Sequence, residues 1–204
     1  MSDPRLNLPK PGRIFITPFA FQKLKLYTVL CPAEISGLGL VELREDRFVV
    51  TDVFILPQRV TPADTELEAQ HLCEFLSQYI AQGKDPASLK VWWHSHGEMD
   101  LDWSETDRGT IEAFPGEYLI SLVGNKNGEF VCRLDVFAPS REVIDGLDLV
   151  PLEGSEEDAD GLEALRQVVQ VEINEKVKFS LPIDPQEFQE WVVAFPTDDS
   201  VREL

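Results

Sequence analysis

The chain has 204 residues, of which 43% are hydrophobic and 27% charged, so it can form one folded domain with an extension and needs no disulfides to build a core. Its formal net charge of −19 opposes binding to nucleic-acid phosphates and to anionic membranes, and we expect neither partner. The three cysteines are far apart in sequence, and neither a signal peptide nor a membrane-spanning apolar run is visible, so the sequence predicts a cytoplasmic protein.

The N-terminal elements are marked by prolines. Residues 1–12 contain three prolines and a glycine and predict an irregular arm. Residues 13–16 predict a short strand. The pair Thr17-Pro18 then predicts the start of a helix, because threonine is a good cap and proline is favoured at the first helical position.

Two strands are predicted at 37–43 and 48–56, around a turn at 44–47, and such a pair is usually antiparallel. Gly37 and Gly39 lie inside the first of these strands. Glycine within a strand indicates that another group approaches the backbone closely.

A helix beginning at Thr61-Pro62 is predicted next, followed by a strand that ends in two histidines. Leu89, Val91 and Trp93 alternate with other residues, as expected of a strand. Residues two apart on a strand point to the same face, so His94 and His96 can direct both imidazoles to one point.

A helix start is predicted shortly after the histidines. Ser104-x-x-Asp107 has the form of a capping box with aspartate in place of glutamate, which puts the carboxylate in the first helical turn. Two imidazoles and one carboxylate are three protein ligands. Three ligands with a fourth position open are typical of a catalytic zinc site.

The C-terminal part changes in character. Strands are predicted at 118–123 and 129–137, which completes an α+β arrangement. Residues 138–165, rich in proline, glycine and acids, predict a linker or loop. Alternating apolar residues at 169–181 predict a hairpin or one long strand, and Asp184 begins a last predicted helix.

The spacing of the polar residues resembles a known family signature. His94-x-His96, seven intervening residues and Ser104-x-x-Asp107 are similar to the signature of the JAMM metallopeptidases, the active branch of the MPN domain family. The segment that starts at Glu34 resembles the family's upstream E-x-x-G-L-x-x-G segment. Many relatives have proline where this chain has Gly97, and the difference removes no functional group.

The resemblance implies a fold and a domain organisation. It implies an MPN/JAMM-like (cytidine-deaminase-like) α+β domain over residues 13–140, with a mostly antiparallel sheet flanked by helices. Residues 1–12 would be an N-terminal arm. Residues 141–204 would be an acidic C-terminal extension of unknown role.

The resemblance also implies an activity. His94, His96 and Asp107 would bind one Zn²⁺ per chain, Glu34 would be the general base, and Ser104 would stabilise the transition state. The chain would be a compact prokaryotic-type member that cleaves peptide or isopeptide bonds after the C-terminal tail of a ubiquitin-like protein.

Two alternatives keep the same residues and change the function. One is a catalytically silent MPN-type scaffold that binds partners, and the other is a small-molecule amide hydrolase that uses the same zinc site. Other zinc hydrolases are less favoured, because the sequence contains neither the HExxH pattern of zincins nor the PCxxC pattern of nucleobase deaminases.

Overall fold

The computed structural model describes residues 8–61, 64–67, 69–97, 101–154 and 159–179. Within these ranges the strands are β1 (Arg13–Ile16), β2 (Ser36–Arg44), β3 (Arg47–Ile55), β4 (Gln58–Thr61), β5 (Asp64–Leu67), β6 (Val91–Ser95), β7 (Tyr118–Gly124), β8 (Phe130–Val136), β9 (Glu142–Pro151) and β10 (Val177–Phe179). The α-helices are α1 (Pro18–Leu30), α2 (Ala69–Ala81), α3 (Glu105–Ala113) and α4 (Ala159–Lys176). None of these helices is long and apolar enough to cross a membrane.

Seven strands form a closed barrel of mixed direction, in the order β1-β3-β2-β6-β7-β8-β9. The pairs β1–β3, β6–β7 and β1–β9 are parallel, and the other neighbours in the barrel are antiparallel. The barrel closes where Arg13 pairs with Asp148 and Ile16 pairs with Pro151. The three remaining strands form a second sheet in the order β10-β4-β5.

The predicted fold class is wrong. An α+β, MPN/JAMM-like (cytidine-deaminase-like) arrangement with a mostly antiparallel sheet flanked by helices was expected, and the structure is a closed seven-stranded mixed barrel with four helices in its described part. The physical reason is β9, which lies in the stretch predicted to be a linker and pairs with both β8 and β1. The boundary predicted at residue 140 falls between two strands of this one barrel.

The hairpin or long strand predicted at 169–181 is wrong in its first half, because the chain as far as Lys176 belongs to α4, whereas Val177–Phe179 form the strand β10. The buried residues Leu165, Val169 and Ile173 recur every four positions, which is the period of one helical face. This face packs toward α1, where the Tyr27 hydroxyl donates a hydrogen bond to Glu172 on α4. The helix predicted from Asp184 lies outside the described residues.

The close approach predicted at Gly37 is confirmed. A Cβ atom there would lie 2.0 Å from the carbonyl oxygen of Phe54 and 2.7 Å from Nε1 of Trp93. The Trp93 side chain is fully buried, its Nε1 donates to the Leu38 carbonyl at 3.2 Å, and its ring stacks on Tyr27 with centroids 5.4 Å apart. Strand β6, which carries His94, is therefore packed tightly against β2.

Removal of residues 141–204 should unfold the barrel. The truncation takes away β9 and leaves the hydrogen-bonding edges of β1 and β8 unpaired, and it also removes α4 from the core. We expect this chain to lose the cooperative thermal transition seen by circular dichroism. A chain that ends at residue 179 keeps every described strand and should unfold cooperatively. A soluble, cooperatively unfolding chain of residues 1–140 would contradict this prediction.

Candidate metal centre

Three of the predicted site residues meet at one point. His94 is near the end of β6, His96 lies just beyond it, and Asp107 is in the first turn of α3. The Nε2 atoms of the two histidines are 3.1 Å apart, and Asp107 Oδ1 is 3.4 Å from His94 Nε2. The three candidate ligand atoms all lie within 4.8 Å of one another.

These separations fit a metal ion bound by three protein ligands. Zinc binds nitrogen and oxygen at about 2.0–2.1 Å in tetrahedral geometry, which puts neighbouring ligand atoms about 3.3 Å apart. The separations of 3.1 and 3.4 Å are close to this value. Imidazole and carboxylate donors serve several divalent transition metals, so the cluster could hold a metal ion, and the choice of zinc comes from the sequence resemblance.

The two oxygens of the Asp107 carboxylate have different partners, one in the helix cap and one in the candidate metal site. Its Oδ2 accepts hydrogen bonds from the backbone N–H and the hydroxyl of Ser104, both at 2.7 Å, and the Asp107 N–H donates to the Ser104 hydroxyl at 3.0 Å. The predicted capping box is therefore confirmed. Because Oδ2 is fixed by the cap, Oδ1 is the oxygen that faces His94.

His94 is oriented by aromatic rings. Its imidazole stacks on Trp92 with ring centroids 4.6 Å apart, and the Trp103 ring packs against it edge-on with centroids 5.7 Å apart. Ligating histidines usually donate their second nitrogen to an oxygen, but Nδ1 of His94 is buried and has no hydrogen-bond partner among the described residues. Burial lowers the pKa of His94 to about 4, so the imidazole is neutral near pH 7, as a metal ligand must be.

Glu34 lies on the neighbouring strand, just before β2. Ser36 pairs with His94, and the Ser95 N–H donates to the Ile35 carbonyl at 2.8 Å, so continuing this register by one residue sets Glu34 opposite His96. Directly opposed residues of an antiparallel pair project from the same face. The carboxylate of Glu34 thus starts on the side of the sheet that carries the histidines, and it is not one of the three clustered ligands.

The backbone on both sides of the centre is fixed by buried hydrogen bonds. The Ile35 N–H donates to the Ser95 hydroxyl at 3.1 Å, and Gln58 bonds both backbone groups of Ser36 at 2.9 Å. The His96 N–H donates to the Gly124 carbonyl at 2.7 Å. Glu34 and His96 are therefore presented by strand ends with little backbone freedom.

A group of charged residues beside the centre was not predicted from the sequence. The Arg133 guanidinium bonds both carboxylate oxygens of Asp135, at 2.7 and 2.9 Å, and approaches Asp145 at 3.9 Å. The Trp103 indole N–H donates to Asp145 Oδ1 at 3.0 Å. The one local signal was the presence of Arg133 and Asp135 within an otherwise apolar strand.

Comparisons with known proteins add information about the fold. No family model matches the chain, and no curated protein does. Among solved structures, the chain is similar to protein DSY2949 from Desulfitobacterium hafniense, with 18% sequence identity and a TM-score of 0.50 over 70% of this chain and 95% of that chain. A likeness at this identity concerns the fold alone, so the JAMM resemblance rests on the sequence motif.

Proposed function

We propose that the chain is a zinc-dependent hydrolase of amide bonds whose metal ligands are His94, His96 and Asp107. The observation that carries the proposal is the convergence of these three ligand atoms to within 4.8 Å at the end of a buried strand. Three protein ligands would leave one position of a tetrahedral ion for water or substrate, which is the arrangement of catalytic zinc sites.

Zinc held by His94, His96 and Asp107 would supply a Lewis acid for a carbonyl oxygen and would lower the pKa of a bound water to about 7. The other chemistry is proposed for side chains of the chain itself. Glu34, opposite His96, accepts a proton from the attacking water and returns it to the departing amine. A carboxylate suits both steps because it can exchange one proton without leaving its position.

Ser104 has two proposed tasks that compete for one hydrogen atom. Its hydroxyl hydrogen is donated to Asp107 Oδ2 at 2.7 Å, which fixes the orientation of the metal ligand. A serine hydroxyl has a single proton to donate. To stabilise a developing oxyanion, Ser104 exchanges the bond to Asp107 for one to the substrate, while the cap is kept by the backbone N–H of Ser104.

The substrate class follows from the JAMM resemblance. It implies peptide or isopeptide bonds after the C-terminal tail of a ubiquitin-like protein, or conjugates of such a protein. The net charge of −19 favours a partner with a basic surface and disfavours nucleic acids and membranes. All three cysteines (Cys31, Cys73 and Cys132) are unpaired, which supports a cytoplasmic location.

The test is cleavage of a ubiquitin-like protein fused through its C-terminal tail to a reporter, before and after removal of metal with a chelator. We expect cleavage to stop when the metal is removed and to return with one equivalent of zinc per chain, while the circular dichroism spectrum stays unchanged. A protein that takes up no zinc would favour the silent scaffold. A zinc protein that cleaves only small amides would replace the proposed substrate and keep the chemistry.

A further inference from the structure

Trp103 joins the two parts of the metal centre that come from different elements. Its buried indole ring packs against His94 of β6 with ring centroids 5.7 Å apart. Its backbone immediately precedes Ser104, the N-cap of α3. The cap in turn fixes Asp107 by reciprocal hydrogen bonds. A displacement of Trp103 would therefore move one metal ligand directly and another through the start of the helix.

The polar end of this indole is attached to β9. The Trp103 N–H donates to Asp145 Oδ1 at 3.0 Å, although these residues belong to segments 42 positions apart. The same oxygen accepts the Gly146 N–H at 2.8 Å, and the Arg133 guanidinium lies 3.9 Å from the other oxygen. One oxygen of the Asp145 carboxylate thus accepts two hydrogen bonds and the other faces a guanidinium, although nearly half of the side chain is exposed.

A β-bulge directs Asp145 toward the indole. Cys132 pairs with Leu147 but Leu134 pairs with Ile144, so Arg133 faces two residues of β9, Asp145 and Gly146. Gly146 has φ of 67°, a left-handed conformation that glycine adopts at no steric cost. Bulges of this kind turn a side chain away from the regular alternation of the strand and recur beside active sites.

We propose that Asp145, acting through Trp103, is a positioning residue for the metal ligands His94 and Asp107. The inference rests on the proposed metal site. The indole packs edge-on against the His94 ring, whose Nδ1 lacks, in the described part of the chain, the hydrogen-bonded oxygen that normally orients a ligating histidine. The bulge in β9 sets the position of Asp145. The bidentate pair with Asp135 sets the position of Arg133, which faces Asp145.

The experiment measures binding of Co²⁺ alone, through its visible absorption bands, which report both affinity and coordination geometry. Asp145→Ala should weaken binding about 10-fold, at the lower end of the effect of outer-shell residues, and should change the band shape. Asp145→Asn retains an acceptor oxygen and should bind nearly as well as wild type. Trp103→Phe keeps an aromatic ring but loses the N–H, and it should reproduce the loss in Asp145→Ala.

Two further variants separate positioning from charge and from general destabilisation. Asp148→Ala removes the same charge from an exposed position of the same strand and should leave Co²⁺ binding unchanged. Combining Asp145→Ala with Trp103→Phe should cost no more than either change alone, because both remove one interaction. Thermal unfolding of each metal-free variant identifies any that fail to fold. If Asp145→Ala does not fold, the Co²⁺ affinities of Asp145→Asn and Trp103→Phe are compared instead.

Wild-type protein that binds neither Co²⁺ nor Zn²⁺ would overturn the proposed metal site, and this inference with it. Wild-type binding together with an unchanged affinity and spectrum in Asp145→Ala would overturn only the positioning role. Equal losses in Asp145→Ala and Asp148→Ala would overturn it as well, because they would assign the effect to net charge. Weaker Co²⁺ binding in Asp145→Ala and Trp103→Phe, with near-normal binding in Asp145→Asn, supports the positioning role of Asp145.

Discussion

Replacing His94 and His96 together with alanine should reduce the metal content from about one zinc per chain to none. The double change removes two of the three ligand atoms that lie within 4.8 Å of one another. The single carboxylate that remains cannot retain a transition metal against solvent water. Elemental analysis of protein purified with zinc supplied measures the result directly.

The matched control is His71→Ala, because His71 is the third histidine of the chain and lies in α2, outside the metal cluster. It should leave the zinc content unchanged. His94 is 5% exposed between two tryptophan rings, so its loss creates a cavity and lowers the free energy of unfolding, by roughly 1–3 kcal/mol. Thermal unfolding must therefore be measured beside the zinc content. Zinc retained at full occupancy in a folded double variant would exclude the proposed ligands.

Glu34→Gln should retain zinc and lose turnover. Glutamine has nearly the size and shape of glutamate but cannot accept the proton of the attacking water. General base catalysis contributes about 10²–10⁴-fold to rate, so we expect a loss of this size in kcat. Since Glu34 is outside the three-ligand cluster, the zinc content should stay at about one per chain.

The matched control for this variant is Glu42→Gln, the same substitution near the other end of β2, where the side chain pairs with Arg44 at the surface. Turnover should be unaffected there. Unchanged turnover in Glu34→Gln would remove Glu34 as the base, and loss of zinc in the same variant would reassign it as a ligand. Either result would leave the metal site itself standing.

The clustering of the three candidate ligands could be predicted from the sequence because most of its geometry is local. Strand alternation brings His94 and His96 to one face within three residues, and a capping box fixes Asp107 within one helical turn. Only the approach of the helix that carries Asp107 to the strand that carries His94 depends on the tertiary fold. Glu34 was predicted in a different way, from the family resemblance, because nothing in the local sequence distinguishes it from a solvated acid.

The barrel could not be predicted in the same way. Closure depends on β9, whose glycine and acidic residues are common in loops, and whose partner strand β1 lies at the other end of the chain. In α4 the local signal was ambiguous, because valines at 169 and 171 fit a strand while the spacing of 165, 169 and 173 fits a helix. The contact between Trp103 and Asp145 combines both difficulties, since it joins two loop-like segments across the fold.

The pairing of β1 with β9 also has a consequence for biosynthesis. Arg13 and Asp148 are neighbours in the barrel but are separated by 135 positions in the chain. At a ribosomal rate of about 5–20 residues per second, β1 waits on the order of 10 s for its partner. Both histidines and Asp107 leave the ribosome during this delay, before the strand that carries Asp145. The barrel can therefore close only after all three candidate ligands have been synthesised, and the large sequence separation of this pairing predicts slow folding.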